Sequence, residues 1–274
     1  MRYAVLFIIC CLTSVRGYSQ SLVAFRDSVK NGYNFWLYLP EGCDTVNRVG
    51  SNRGKPLVIF LHGNSLCGND LYQVRKYGCI DAVEKGVQID AFILAPQNRG
   101  GAWNPSKILT LLDWVQKRYP IDTDRVYVTG MSLGGYGTVD FAGTYPERVA
   151  AAAALCGGGT LSSFSKLAQV PLWMVHGTAD IAVPVSQSQR VADAVKQCGD
   201  TTLLRFDKLP GVNHAKLART FYLPVLYQWL FAHSLNDSVR HINRDCAITS
   251  GMLTGAFRNP NKNAKKFTVI DPAR

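Results

Sequence analysis

The chain has 274 residues, 47% hydrophobic and 18% charged, which is enough apolar content for a full core and too little charge for a disordered chain. Its net charge of +11 is dispersed: Arg2 and Arg16 supply two charges, and the segment 236–274 a net four more. The remaining body has neither a basic run nor an interleaved aromatic stripe, so no nucleic-acid partner is expected.

Residues 1–19 read as an export signal. Arg2 forms a positive start, Tyr3 to Val15 is an uncharged apolar run too short to span a bilayer comfortably, and Gly17 and Ser19 suit cleavage after Ser19. The expectation is a periplasmic or secreted protein with no stable membrane insertion after cleavage. In that oxidising setting some of Cys43, Cys67, Cys79, Cys156, Cys198 and Cys246 could pair, but six cysteines allow 15 pairings and the sequence does not choose among them. Buried free thiols are the other reading, since a domain of this size does not need staples. There is no Cys-x-x-Cys and no pair of histidines three or four apart, so no metal is expected.

From residue 20 to 235 short β-branched runs alternate with helical patterns, as in a mostly parallel sheet covered by helices on both faces. Asn34 to Leu39 is an early strand, 43–55 a polar loop, and Pro56 to Leu61 a continuous apolar run expected of a central strand. Ala91 to Ala95 is the next strand. Ser106 to Tyr119 has Ile108, Leu111, Leu112 and Val115 at helical spacing, stopped by Pro120. Arg125 to Thr129 is a strand leading into Gly130 and a small-residue helix that ends near Tyr145. Further strands are expected at Val149 to Leu155, Leu172 to Val175 and Thr202 to Phe206, with helices at Val185 to Lys196 and Ala218 to Ala232. The segment 236–274 is polar and basic. It reads as a surface-draped or flexible tail, with a short added strand or docking segment as the alternative.

Gly130-Met131-Ser132-Leu133-Gly134 lies between a strand and a helix, the context a nucleophile elbow requires. Such a turn lifts the Ser132 hydroxyl above the sheet at a helix N-terminus, where the helix dipole favours developing negative charge. A serine hydroxyl needs a base, and five histidines are available. His62 and His176 follow strands and precede glycine, positions that shape loops; His233 lies in the last helix and His241 in the tail. His214 alone follows the final strand, in a loop able to reach Ser132. Asp180, just past the strand at 172–175, is the carboxylate that fixes the imidazole tautomer, better placed than Asp140, Asp193 or Asp207. The chain order Ser132, Asp180, His214 is that of the α/β-hydrolase fold. An oxyanion hole is expected from the N–H of Leu133 and that of Asn64, with Ser65 as the alternative to Asn64.

The stretches FLHGNS, APQNRGGAWN, GMSLGGYGT, HGTADIAVP and GVNH resemble single-domain bacterial carboxylesterases of the α/β-hydrolase superfamily over residues 35–235. The resemblance is to the branch holding feruloyl and acetylxylan carbohydrate esterases, polyhydroxybutyrate depolymerase-like enzymes and dienelactone-hydrolase-like proteins. It implies that Trp103 lines a substrate pocket, ordinary packing being the other reading. It also implies a serine carboxylesterase that needs no cofactor and acts on a small-molecule or glycan ester. Dienelactone hydrolases proper use cysteine, so Ser132 argues against that activity. Two other readings are a serine peptidase of the prolyl-oligopeptidase type and a hydrolase-fold binding protein without catalysis.

Overall fold

The computed structural model describes residues 20–43, 54–199, 201–256 and 267–273. The proposed signal, 1–19, lies outside them. Nine strands follow the chain: β1 (Ser21–Phe25), β2 (Asn34–Leu39), β3 (Lys55–Leu61), β4 (Phe92–Gln97), β5 (Ile121–Met131), β6 (Ala151–Leu155), β7 (Leu172–Gly177), β8 (Leu204–Leu209) and β9 (Thr268–Ile270). They form one sheet in the order β8-β7-β6-β5-β3-β4-β2-β1-β9. From β8 to β4 every pairing is parallel, β2 is antiparallel to both β4 and β1, and β9 is parallel to β1. This is the α/β-hydrolase fold.

The helices are α1 (Cys79–Glu84), α2 (Pro105–Gln116), α3 (Leu133–Thr144), α4 (Ser186–Gln197), α5 (His214–Leu217), α6 (Pro224–Phe231) and α7 (Ser250–Gly255). α2 shows how sequence becomes element. Asn104 caps it, accepting from the N–H groups of Ser106 and Lys107 at 2.9 and 3.2 Å, Pro105 opens it, and Ile108, Leu111, Leu112 and Val115 form its buried stripe. Alternate residues of the central strands feed two cores. Val58 and Phe60 join Trp36, Trp173 and Trp229 on one face, while Leu57, Ile59 and Leu61 join Phe35, Leu111 and Phe141 on the other. That two-sided burial is why β3 reads as an unbroken apolar run.

The helix expected over 218–232 is two elements. Pro224 cannot continue a hydrogen-bonded helix, so a 3-10 turn at Ala218–Tyr222 ends there and α6 restarts. The described residues after Leu235 are packed onto the body. The Arg240 guanidinium donates to the carbonyls of Gln169, Val149 and Ala150 at 2.7, 3.0 and 2.6 Å, and the Trp229 indole donates to the Asn243 carbonyl at 3.0 Å. Leu253 is fully buried, and β9 extends the sheet beside β1, held by an ion pair between Arg26 and Asp271.

The chain runs from β3 outward to β4, then returns to place β5 on the other side of β3. Strand order reverses there, and the crevice beyond the carboxyl ends of β3 and β5 is where such sheets bind ligands. Leu61 pairs with Gly130 at that edge, so the turns after both strands emerge side by side.

Three histidines are built into this framework in neutral form. Burial lowers the His62 pKa to about 4 and lowers those of His176 and His233. The bonds of His62 agree: Nδ1 lies 2.8 Å from the Gly63 carbonyl and carries the proton, while Nε2 accepts from the Asn98 N–H at 3.0 Å. An unfolded imidazole titrates near 6.5, so below that value the unfolded chain binds protons that the folded chain refuses. This contribution to stability is therefore complete above pH 6.5 and is lost as the pH falls toward 4, with His62 alone accounting for roughly 3 kcal/mol. We expect the His62 ring resonances to titrate near pH 4 and the urea midpoint to drop across this window. A ring titrating at its ordinary pH in the folded protein would contradict the burial.

Candidate active site

β5 ends at Met131, and the next residue, Ser132, has φ 59° and ψ −121° before α3 begins. A residue with a β-carbon in that region carries about 1–3 kcal/mol of strain and needs its surroundings to hold it. Here the Ser132 N–H donates to the Leu155 carbonyl at 2.9 Å and the Ser132 carbonyl accepts from the Tyr136 N–H at 3.0 Å. The first turn of α3 presses on the end of β3: a β-carbon at Gly134 would stand 1.8 Å from the Leu61 carbonyl oxygen. Ser132 occupies the N-cap position of α3, yet its side chain does not cap the helix.

Asp180 and His214 lie in the two loops after β7 and β8, which are stitched together. Ala179 N–H donates to the Val212 carbonyl at 3.1 Å, Thr178 N–H to that of Leu209 at 3.0 Å, and Gly211 N–H to the Thr178 hydroxyl at 3.0 Å. Asp180 Oδ1 accepts from the N–H groups of Ala182 and Val183 at 3.0 and 2.9 Å. Its Oδ2 lies 2.7 Å from His214 Nδ1. That contact puts the imidazole proton on Nδ1 and leaves Nε2 as the basic nitrogen. His214 opens α5, whose N-cap Asn213 accepts from the Lys216 N–H at 2.9 Å. The Asp180 side chain is fully buried, whereas that of His214 is 26% exposed.

Leu133 is the first residue of α3, so its N–H is one of the four that a helix leaves without an intrahelical acceptor. Asn64 begins a 3-10 turn after Gly63, and Gly63 lies against the elbow: a β-carbon there would be 3.2 Å from the Met131 carbonyl oxygen and 3.4 Å from Ser132 Cβ. The Gly63 N–H is taken by the Tyr77 hydroxyl at 2.6 Å, and the Gly63 carbonyl by His62. With both Gly63 groups occupied, the exposed Asn64 is the next residue able to offer an N–H beside Ser132.

The resemblance implies a pocket wall at Trp103, with ordinary packing as the other reading, and the indole lies beside the turn after β3. It is 4% exposed, donates to the His62 carbonyl at 3.2 Å, meets the rings of Tyr33 and His62 edge-on, and fills the space that a β-carbon at Gly137 would need. Its surroundings make it a strut between α3 and the turn after β3, because a buried indole finds its N–H partner inside the protein.

Three neighbours escaped the sequence reading. Tyr77 and Cys156 carry no motif, and His176 was set aside as a loop residue. His176 is fully buried, with Nε2 2.9 Å from the Val183 carbonyl and 3.5 Å from Asp180 Oδ2. Burial, then the Asp180 charge, push the Cys156 thiol well above its ordinary pKa. Ligand atoms of Cys156, Asp180 and His214 all lie within 4.8 Å of one another, a set able to hold a cation if the thiol and Nδ1 gave up their protons. Cys67, Cys79, Cys156, Cys198 and Cys246 are free thiols. Among the described residues no helix is long and apolar enough to cross a membrane.

Comparison with known proteins places this geometry in a family. Residues 27–205 match the family model Esterase, described as "Putative esterase", a span that includes Ser132 and Asp180 and ends before His214. Acetylxylan esterase A of Aspergillus awamori is 29% identical over 168 residues, covering 57% of this chain and 52% of the relative. The bifunctional acetylxylan esterase/xylanase XynS20E of Neocallimastix patriciarum is 36% identical over 70 residues, 26% of this chain and 10% of the relative. The chain thus spans about half the length of acetylxylan esterase A and less of the bifunctional protein. Among solved structures, a thermostable esterase is 26% identical with a TM-score of 0.60, covering 77% of this chain and 62% of that one. The feruloyl esterase module of Clostridium thermocellum complexed with sinapinate has a TM-score of 0.57 at 15% identity, covering 82% and 92%, and supports the fold. With more than half its length matched, the chain belongs to the Esterase family.

Proposed function

We propose that this protein is an exported serine carboxylesterase that cleaves its substrate through an acyl-enzyme on Ser132. The observation that carries the reading is the 2.7 Å contact between Asp180 and His214 Nδ1, which leaves a basic nitrogen on a partly exposed ring in the loop after β8. His214 takes the Ser132 proton as the hydroxyl attacks the ester carbonyl. The N–H groups of Leu133 and Asn64 receive the oxyanion, and the imidazolium then protonates the leaving alcohol. Water activated by the same imidazole releases the acid, so no cofactor enters the cycle. The fixed carboxylate supplies tautomer control and stabilises the imidazolium.

The esterase relatives support ester over peptide substrates, and the acetylxylan esterases among them support acyl groups on polysaccharides. Acetyl or feruloyl groups on xylan are the substrates we assign. Export rests on the Arg2-led apolar segment and its Ser19 junction.

Fluorophosphonate labelling is expected on the wild-type protein and lost in Ser132→Ala; a folded wild-type protein that resists labelling would defeat the enzyme reading. Asp180→Asn should lower kcat on an aryl ester by about three to four orders of magnitude, because the tautomer is no longer held. A loss below tenfold would remove Asp180 from the mechanism. Acetate or ferulate should be released from acylated xylan, and good aryl-ester turnover with no release from any acylated glycan would exclude the polysaccharide assignment.

A further inference from the structure

The loop after β4 is tied to His62 at both ends. The Asn98 N–H donates to His62 Nε2 at 3.0 Å, and the Trp103 indole donates to the His62 carbonyl at 3.2 Å. Between those bonds Arg99, Gly100, Gly101 and Ala102 are all exposed. The buried Asn98 braces this short tab: Oδ1 accepts from the Gly100 N–H at 3.1 Å, and Nδ2 donates to the Gly101 carbonyl at 2.9 Å. The Asn98 carbonyl accepts from the Gly68 N–H at 3.1 Å, so the tab is also bonded to the loop after β3. Gly100 and Gly101 have φ of 149° and 75°, and a β-carbon at either would meet nothing within 4 Å. A ligand can therefore come close to this backbone, and the one functional side chain the tab presents is the Arg99 guanidinium.

Among the described residues no carboxylate pairs with Arg99. The loops 98–104, 156–171, 178–185 and 210–213 follow β4, β6, β7 and β8 at one edge of the sheet. Their one carboxylate is that of Asp180, which is fully buried against His214, whereas Arg99 and Lys166 are exposed cations. After β3, Asp70 is occupied in capping the 3-10 turn Leu71–Arg75, accepting from the Tyr72 N–H at 3.0 Å. Neighbouring strands stand about 4.8 Å apart, so β4 and β5, with β3 between them, end roughly 10 Å apart. That interval accommodates a sugar unit between Arg99 and an ester at Ser132. We propose that Arg99 binds a carboxylate on the substrate, so that the preferred ester sits on a uronic-acid-bearing glycan. A guanidinium offers a planar fork that matches a carboxylate, and an approach carrying exposed cations favours an anion over a neutral sugar. The proposal rests on the acyl-enzyme reading above, which puts the ester at Ser132.

The test uses the full chain and an acetylated xylo-oligosaccharide bearing a glucuronic acid side group, beside the same molecule with that carboxylate reduced to the alcohol. Ser132→Ala holds either ligand without turnover, so calorimetry reads binding apart from catalysis. That protein should bind the uronate form about tenfold more tightly, and the preference should shrink in high salt. Adding Arg99→Gln should bring the ratio to about one, while Arg99→Lys, with charge but no fork, should keep part of it. With Ser132 intact the same preference should appear in kcat/KM for acetate release, carried by KM. Equal binding of the two oligosaccharides by Ser132→Ala, or a preference that survives Arg99→Gln, overturns the proposal. Fluorophosphonate labelling of the wild-type protein reports on Ser132 separately. A label without a uronate preference removes the role of Arg99 alone, and a preference without a label removes the acyl-enzyme reading and keeps the anion site.

Discussion

The site depends on one close approach: the first turn of α3 lies against the carboxyl end of β3. A β-carbon at Gly134 would fall 1.8 Å from the Leu61 oxygen, so any larger residue would push the helix off the strand. With the helix held in, the chain has one residue, Ser132, in which to turn from β5 into α3, and it does so at φ 59°. The strain is the consequence of joining a central strand to a helix packed over its neighbour. It is tolerated because both backbone groups of Ser132 are hydrogen-bonded. The same approach puts Gly63 beside the elbow, so Ser132 and the turn after β3 are placed by a single packing contact.

Everything around Gly63 keeps that turn from relaxing. Tyr77 occupies its N–H and His62 its carbonyl, while Trp103 bonds the His62 carbonyl and fills the hollow over Gly137. Burial raises the Tyr77 pKa, so the phenol stays neutral and suits a backbone N–H. These side chains define a preorganised surface. A donor that need not move when charge develops is worth more than one that must be reoriented.

The sequence showed much of this and missed the rest for identifiable reasons. The central strands were legible because two-sided burial leaves unbroken apolar runs, and α2 because its cap and stripe are local. β1 was missed although Leu22 and Ala24 alternate inward, since five residues beside an apolar leader give little contrast. The sequence leaves β9 only as the alternative of a short added strand, because its exposed residues are held by pairing with β1 and by Arg26 rather than by their own hydrophobicity. Ser132, Asp180 and His214 were assigned by their positions after successive strands, and the structure brings Asp180 to His214. Cys156 and His176 were illegible as neighbours of Asp180, since their approach is set by the register of β6 with β7 and not by any local pattern.

The distinction between the histidines shows why position alone underdetermines chemistry. His62 and His214 follow strands of one sheet and His176 lies near the end of another, β7, so all three lie near the same edge. His62 and His176 are fully buried, engaged at both ring nitrogens, and depressed in pKa by desolvation. For His62 a second ring proton would break the bond that Nε2 accepts from the Asn98 N–H, and for both rings burial opposes the added charge. His214 differs in having its known anchor on Nδ1 and part of its surface in solvent. A general base has to change charge in every turnover, so it belongs where that change can be solvated and where a fixed carboxylate compensates it. Burial makes two of these imidazoles parts of the scaffold, and the carboxylate of Asp180 makes the third available for proton transfer.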